Sequence, residues 1–199
     1  VTPPRRRNCT SRRLAGMIRA RVVAGRSLRS VMAVTSDGMV SVLSHRPRKL
    51  VTLVLVHEGD RVLLGMKKDG FGGGWWNGFG GKVEAGETIE HAARRELMEE
   101  VGIDVETLER AGMLYFDIEG DEKLHECHIF RASGVIGEPT ETDEMVTPKW
   151  FAIADIPYAN MWKGDDAWMP AFFEGKTIEG ILTFSDKHEL RSAVVRAKA

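Results

Sequence analysis

Residues 81–103 read GKVEAGETIEHAARRELMEEVGI, and the middle of this stretch is a helix with its own start and stop signals. Thr88 is a good N-cap, and Glu90 falls in the first turn, where a negative charge meets the positive end of the helix dipole. Gly102 lies just past the last turn, where a left-handed terminal residue is usual. Ile89, Ala92, Ala93, Leu97 and Val101 recur at helical spacing and form one apolar stripe. Glu96, Glu99 and Glu100 stand at i, i+3 and i+4, so their carboxylates leave one face within a single turn. Like charges so placed repel by roughly a few tenths of a kcal/mol per pair. Three glutamates alone describe a solvated acidic face. Arg95, able to brace one carboxylate, and the glycine-dense loop before the helix, whose carbonyls can join the carboxylates, point elsewhere. Hard oxygen ligands with no soft ligand nearby describe a Mg²⁺ site that meets its substrate through phosphate oxygens.

Moving outward, the loop runs Gly70-Phe71-Gly72-Gly73-Gly74 and then Trp75-Trp76-Asn77-Gly78-Phe79-Gly80-Gly81. It fits neither G-x-x-x-x-G-K-[ST], because Val83 follows Lys82, nor G-x-G-x-x-G. On glycine content alone it is a loop that needs unusual dihedrals. Before it, Val51–Val56 is a buried strand, Glu58-Gly59-Asp60 a turn, and Arg61–Lys67 the partner strand. After the helix, strands are predicted at Leu114–Ile118, Leu124–Ala132, Val146–Ala152, Thr177–Phe184 and Glu189–Val195, with a short helix at Ala167–Phe173. The fold class is α/β, a mixed sheet flanked by helices.

The spacing of these residues carries a family resemblance. Gly81, five residues, Glu87, seven residues, then Arg95-Glu96-Leu97-Met98-Glu99-Glu100-Val101-Gly102-Ile103 resembles the full Nudix box without a substitution. The resemblance implies an α/β/α sandwich and hydrolysis of a nucleoside diphosphate linked to another moiety. A narrower likeness runs from about Leu50 to the C-terminus. Leu63–Lys68, Gly70–Gly72, Trp76–Lys82, Asp143-Glu144-Met145, Trp150-Phe151 and Met161-Trp162 resemble the MutT-type branch that hydrolyses oxidised purine nucleoside triphosphates. Carried over by position, Gly80 (through its carbonyl), Glu96, Glu99, Glu100 and Glu144 would hold Mg²⁺. Glu99 or Glu100 would accept the proton from the attacking water. Thr52, Lys67, Asn77, Phe79, Gly80, Gly81, Lys82, Trp162 and the pair Asp165-Asp166 would bind the nucleotide, with Phe71 and Phe116 as walls. The implied reaction turns 8-oxo-dGTP and 2-hydroxy-dATP into monophosphate and pyrophosphate and so sanitises the nucleotide pool.

The chemistry of those residue types agrees. A purine needs flat apolar surfaces, each base–aromatic stack being worth roughly 1–3 kcal/mol, although lone aromatics such as Trp162, Trp168 and Phe172 are more often core. Two adjacent carboxylates at one buried site should not both ionise, so the aspartate pair would present a donor beside an acceptor and could swap them. That suits two differently oxidised bases, and the Asn77 amide adds a second adaptable contact. The family pattern has proline directly before the two aspartates, whereas here Lys163 and Gly164 stand there, so either aspartate can take either role. Ile118 and His125 stand where the family often places Phe and Met, which reshapes the far pocket wall. His125, Glu126, Cys127 and His128 do not make a zinc site, because alternate strand residues face opposite ways.

Composition bounds the rest. The chain has 199 residues, 43% hydrophobic and 29% charged, which excludes wholesale disorder and suggests one domain. No stretch approaches the roughly 18 consecutive apolar residues of a membrane-crossing helix. Two cysteines, Cys9 and Cys127, make no disulfide framework and point to a reducing compartment. The net charge of −1 conceals a split: residues 1–48 carry eleven arginines and one acid, Asp37. Residues 1–47 are therefore set apart as an arginine-rich extension and 48–199 as the Nudix domain. The extension reads as a targeting presequence, a basic arm for nucleic acid or anionic lipid, translated sequence upstream of the true start, or a disordered segment without a role. The expected protein is a cytoplasmic monomer, or a mitochondrial or nuclear one if the extension directs it, acting on a small-molecule nucleotide with no stable nucleic-acid or membrane partner. The alternatives are another nucleoside diphosphate-linked substrate, or a catalytically silent module that binds nucleotide or RNA.

Overall fold

The computed structural model describes residues 46–69 and 72–199. Among these, eight strands form one mixed sheet: β1 (Arg48–Glu58), β2 (Arg61–Lys67), β3 (Trp76–Asn77), β4 (Asp104–Ile118), β5 (Leu124–Ile136), β6 (Met145–Ala152), β7 (Thr177–Phe184) and β8 (Leu190–Lys198). The spatial order is β3-β2-β1-β5-β4-β7-β8, with β6 paired to β2. The β1–β5 and β4–β7 pairs are parallel and the others antiparallel.

The helix α1 (Ile89–Val101) covers one face and the short α2 (Met169–Phe173), preceded by 3₁₀ turns, the other. β1 explains why both layers form. Its side chains alternate, Val54 and Val56 packing with Ala93, Leu97 and Val101 of α1, while Leu55 faces Trp168 and Phe172 on the α2 side. With both faces buried, the strand reads as an unbroken apolar run. The helix signals hold: the Thr88 side chain accepts from the His91 amide, and Gly102 takes φ 73 with its N–H on the Met98 carbonyl.

Some boundaries differ from expectation. β4 begins ten residues before Leu114. Its first half is charge-rich, and a bulge between Arg110 and Gly112 shifts the alternation, so no single period runs through it. The helix expected at 167–173 is a 3₁₀ turn at Asp165–Ala167 followed by α2. Arg46 and Pro47, assigned to the extension, already bond to the sheet: Arg46 donates to the Asp117 carboxylate at 2.5 Å and to the Asp121 carbonyl at 2.6 Å, and the Pro47 carbonyl accepts from the Leu124 amide. The expectations for residues 1–45 lie outside the described residues.

The glycine-dense stretch is placed by the sheet. β1 and β2 pair only near their shared turn, from Val56↔Leu63 to Glu58↔Arg61. Beyond that they part, and residues 76–82 enter the gap, pairing Trp76 and Asn77 with β2 and bridging Val54↔Phe79 and Val51↔Lys82 on β1. Insertion demands glycine at position 80. A Cβ there would fall 2.1 Å from the Thr52 carbonyl oxygen, and its φ of +151° disfavours any side chain.

Candidate active site

The inserted segment joins the two faces of the sheet at one point. From the α1 side, the Gly80 amide donates to Glu100 Oε2 at 2.7 Å. On the opposite side, Gly80, Gly81 and Lys82 form the lip of a pocket of about 310 Å³. The pocket floor is the sheet itself. In one row Lys49, His125, Phe116 and Leu182 lie side by side on β1, β5, β4 and β7, and Val51 and Cys127 occupy the next row. Lys67 and Asn77 close it on the β2–β3 side, and Trp162 and Asp165, from the segment after β6, form the remaining wall.

The carboxylate turn is held by one guanidinium. Arg95 Nε donates to Glu87 Oε1 at 2.9 Å and Nη2 to Glu87 Oε2 at 3.1 Å, a two-pronged grip. Its Nη1 reaches Glu96 at 2.9 Å and Glu99 at 2.7 Å, and Nη2 also donates to the Lys82 carbonyl. The Arg95 hydrogen bonds hold the Glu87 carboxyl down at about 2. Glu100 is the opposite case. Only 2% exposed, its carboxyl is pushed up to about 7 by burial; the Gly80 amide and Lys67 (Nζ to Oε1 3.9 Å) pull it down, while Glu96 and Glu144 add to the rise. Burial likewise raises Glu96, against the pull of Arg95.

Whether these residues fit a divalent cation is decided by donor chemistry. Among the described residues no three acidic, histidine or cysteine side chains converge on one ligand position, and Arg95 and the Gly80 amide bond to one oxygen each of Glu96, Glu99 and Glu100. Yet Glu99 and Glu144 lie close enough to raise the proton affinity of Glu96, and Glu96 and Glu144 that of Glu100. The buried carboxylates of Glu96 and Glu100, with negative neighbours beside them, offer hard oxygen donors whose charge a cation would compensate. They fit the group.

The other expected residues divide. Thr52, Lys67, Asn77, Gly80, Gly81, Lys82, Phe116, Trp162 and Asp165 all line the pocket. Phe71 lies outside the described residues. Phe79 does not reach the pocket: it is fully buried in the cluster that holds Val54, Leu97 and Val101 on the α1 side of the sheet. The aspartates are not a buried pair. Asp165 is 8% exposed and accepts from Trp168 Nε1 at 3.1 Å, whereas Asp166 is exposed and does not line the pocket. The 3₁₀ turn at 165–167 sends successive side chains in different directions. Burial pushes the Asp165 carboxyl up to about 7 despite the Trp168 hydrogen bond, with Asp166 adding its charge. Trp168 and Phe172 are core, and Trp162 is wall.

Sequence reasoning did not single out Lys49, Leu182 or Phe184, which line the pocket only because sheet order brings β1, β5, β4 and β7 side by side. Ile118 and His125 do line it, as the reshaped wall requires, and His125 Nε2 lies 2.8 Å from Asp121 Oδ2. Cys127 shares the pocket side with His125, while His128 and Glu126 meet on the other face at 3.2 Å.

Comparison with known proteins places this geometry among relatives. The NUDIX domain model matches residues 46–172. An oxidized purine nucleoside triphosphate hydrolase of Danio rerio is 54% identical over 136 residues, covering 68% of this chain and 86% of that protein. The Mus musculus protein of the same name is 49% identical over 148 residues, covering 74% and 94%. Among solved structures, a MutT protein from Bacillus halodurans superposes with a TM-score of 0.65 at 28% identity, covering 75% of this chain and 97% of the other.

Proposed function

The chain belongs to the NUDIX family, and from that premise we propose that it hydrolyses oxidised purine nucleoside triphosphates to the monophosphate and pyrophosphate with Mg²⁺. The observation that carries the reading is the pocket's position. It is lined by Trp162, Phe116 and a buried, proton-holding Asp165, and Gly80 at its rim donates its amide to Glu100 of α1.

Each chain residue has a task in that reaction. Trp162 and Phe116 offer flat apolar surface to the base. A single protonated carboxyl has both an O–H donor and a carbonyl acceptor. Asp165 by itself therefore supplies the adaptable contact first expected of two aspartates, and it suits the altered edges of both 8-oxoguanine and 2-hydroxyadenine. Asn77 adds an amide beside it, and Lys67 offsets the negative charge of the phosphates. Glu96, Glu99, Glu100 and Glu144, with the Gly80 carbonyl, would hold the divalent cation. Bound there, such an ion neutralises phosphate oxygens and lowers the pKa of a water. Glu100, already carrying high proton affinity against Gly80 and Lys67, accepts the proton as water attacks and a phosphoanhydride bond breaks. Arg95 keeps Glu96 and Glu99 on the same edge.

The test is product analysis. With Mg²⁺ the protein should convert 8-oxo-dGTP to monophosphate and pyrophosphate at least about tenfold more efficiently than dGTP, and a chelator should stop it. Faster hydrolysis of ADP-ribose would move the chain to another Nudix substrate class.

A further inference from the structure

Trp162 is gripped between two hairpin turns. From the first, Trp75, in the turn joining β2 and β3, meets its ring edge-on, with centroids 4.9 Å apart and planes at 79°. Gly72, in the same turn, approaches so closely that a Cβ there would lie 3.1 Å from Trp162 Cζ2. From the second turn, β7–β8, Phe184 and His188 stand at 6.1 and 5.9 Å, both nearly perpendicular to the indole. His188 adopts φ 61, a left-handed conformation seldom taken by a residue with a side chain. The first turn is itself tied down: Gly74 donates to the Lys67 carbonyl at 2.7 Å, Lys67 to the Trp75 carbonyl at 3.1 Å, and Trp75 to the Gly72 carbonyl at 3.1 Å. The grip extends to the base-reading group, since the Asp165 amide donates to the Trp162 carbonyl at 3.1 Å.

We infer that Trp75 is a positioning residue for purine recognition: its ring, together with His188, fixes the plane of Trp162 and with it the place of Asp165. The inference rests on the pocket being the purine site. Trp75 does not itself line that pocket; it acts through the indole it touches. A stacked base gains only when the wall is parallel to it, so a loosened Trp162 costs binding of the large purine plane and leaves the phosphate end alone. An edge-to-face aromatic contact corresponds to about two- to tenfold in binding.

Trp75→Ala, Trp75→Phe and His188→Asn in the full chain test this, asparagine being at ease in the left-handed conformation. Trp75→Ala should raise KM for 8-oxo-dGTP about two- to tenfold while kcat stays within about twofold. It should also abolish the circular-dichroism signature of two coupled indoles. Trp75→Phe should restore KM without restoring that signature. An unchanged KM, or an equal fall in kcat, overturns the inference. If Trp75→Ala does not fold, His188→Asn decides by the same split of KM from kcat. Failure of the substrate reading looks different, because the unmodified protein would then leave 8-oxo-dGTP intact. Fluorescence titration with that nucleotide would still compare the affinities of the unmodified protein and the variants.

Discussion

The buried carboxylate of Glu100 accepts a hydrogen bond from the backbone amide of Gly80, 2.7 Å away, across the gap between β1 and β2. With the Arg95–Lys82 and Lys67–Glu100 contacts, it joins a helix on one face of the sheet to a pocket on the other. On the reading proposed above, it would set Glu100 at the phosphate end of the pocket.

Glu100→Gln should lower kcat by about 10²- to 10⁴-fold, the range expected for loss of a proton acceptor. The glutamine can still accept from Gly80, so the melting temperature should hold or rise. Turnover that survives the substitution would transfer the role to Glu99.

Arg95→Lys should cost about 1–3 kcal/mol of stability, because an ammonium cannot keep the forked grip on Glu87 together with Glu96 and Glu99. Urea denaturation gives the stability loss. A rise in the Mg²⁺ concentration needed for half-maximal rate gives the consequence at the site.

The two loop glycines should fail differently. In Gly80→Ala the new Cβ would lie 2.1 Å from a backbone oxygen at a strained φ, so more than about 3 kcal/mol should be lost. In Gly81→Ala it would lie 2.5 Å from Glu96 Oε1, the movable end of a side chain. That variant should fold within about 1 kcal/mol of the parent and lose turnover at least about tenfold. Thermal melts beside rate measurements separate the two.

Asp165 and Asp166 should be unequal. Asp165→Asn should lower kcat/KM for 8-oxo-dGTP and 2-hydroxy-dATP about tenfold or more, and Asp166→Asn about twofold or less, because only Asp165 faces the pocket. Equal losses would restore the paired-carboxylate reading.

Asp165 also ties stability to pH. Its carboxyl keeps its proton up to about 7 in the folded chain against an ordinary 3.8. Between those values the folded state holds more protons than the unfolded one. The stability this group contributes is therefore complete below about pH 4 and is lost as pH rises through about 7. Urea midpoints at pH 5 and pH 8 should show that slope in the parent and a flatter one in Asp165→Asn.

Much of the site was legible because its signals are local. Thr88, Gly102, the apolar stripe and the three glutamates at one-turn spacing all act within four residues, so helix geometry alone puts Glu96, Glu99 and Glu100 on one edge. Other features were not legible because they depend on contacts distant in the chain. Phe79 sits among residues expected to bind nucleotide, yet its ring is drawn into the core by Leu97 and Val101. Asp165 and Asp166 are neighbours with identical side chains, and only the turn that follows Trp162 makes one wall and the other surface.

The amino-acid order by itself determined the chemistry: a carboxylate edge for a hard cation, an arginine to brace it, and glycines where backbone must pass close to backbone. Tertiary structure alone decided where that chemistry acts. Two strands part, the glycine segment enters between them, and the sheet order β1-β5-β4-β7 sets Lys49, His125, Phe116 and Leu182 side by side as a floor. Helix spacing is fixed by bonds within one turn, whereas the pocket is made of residues that meet only after distant strands have paired.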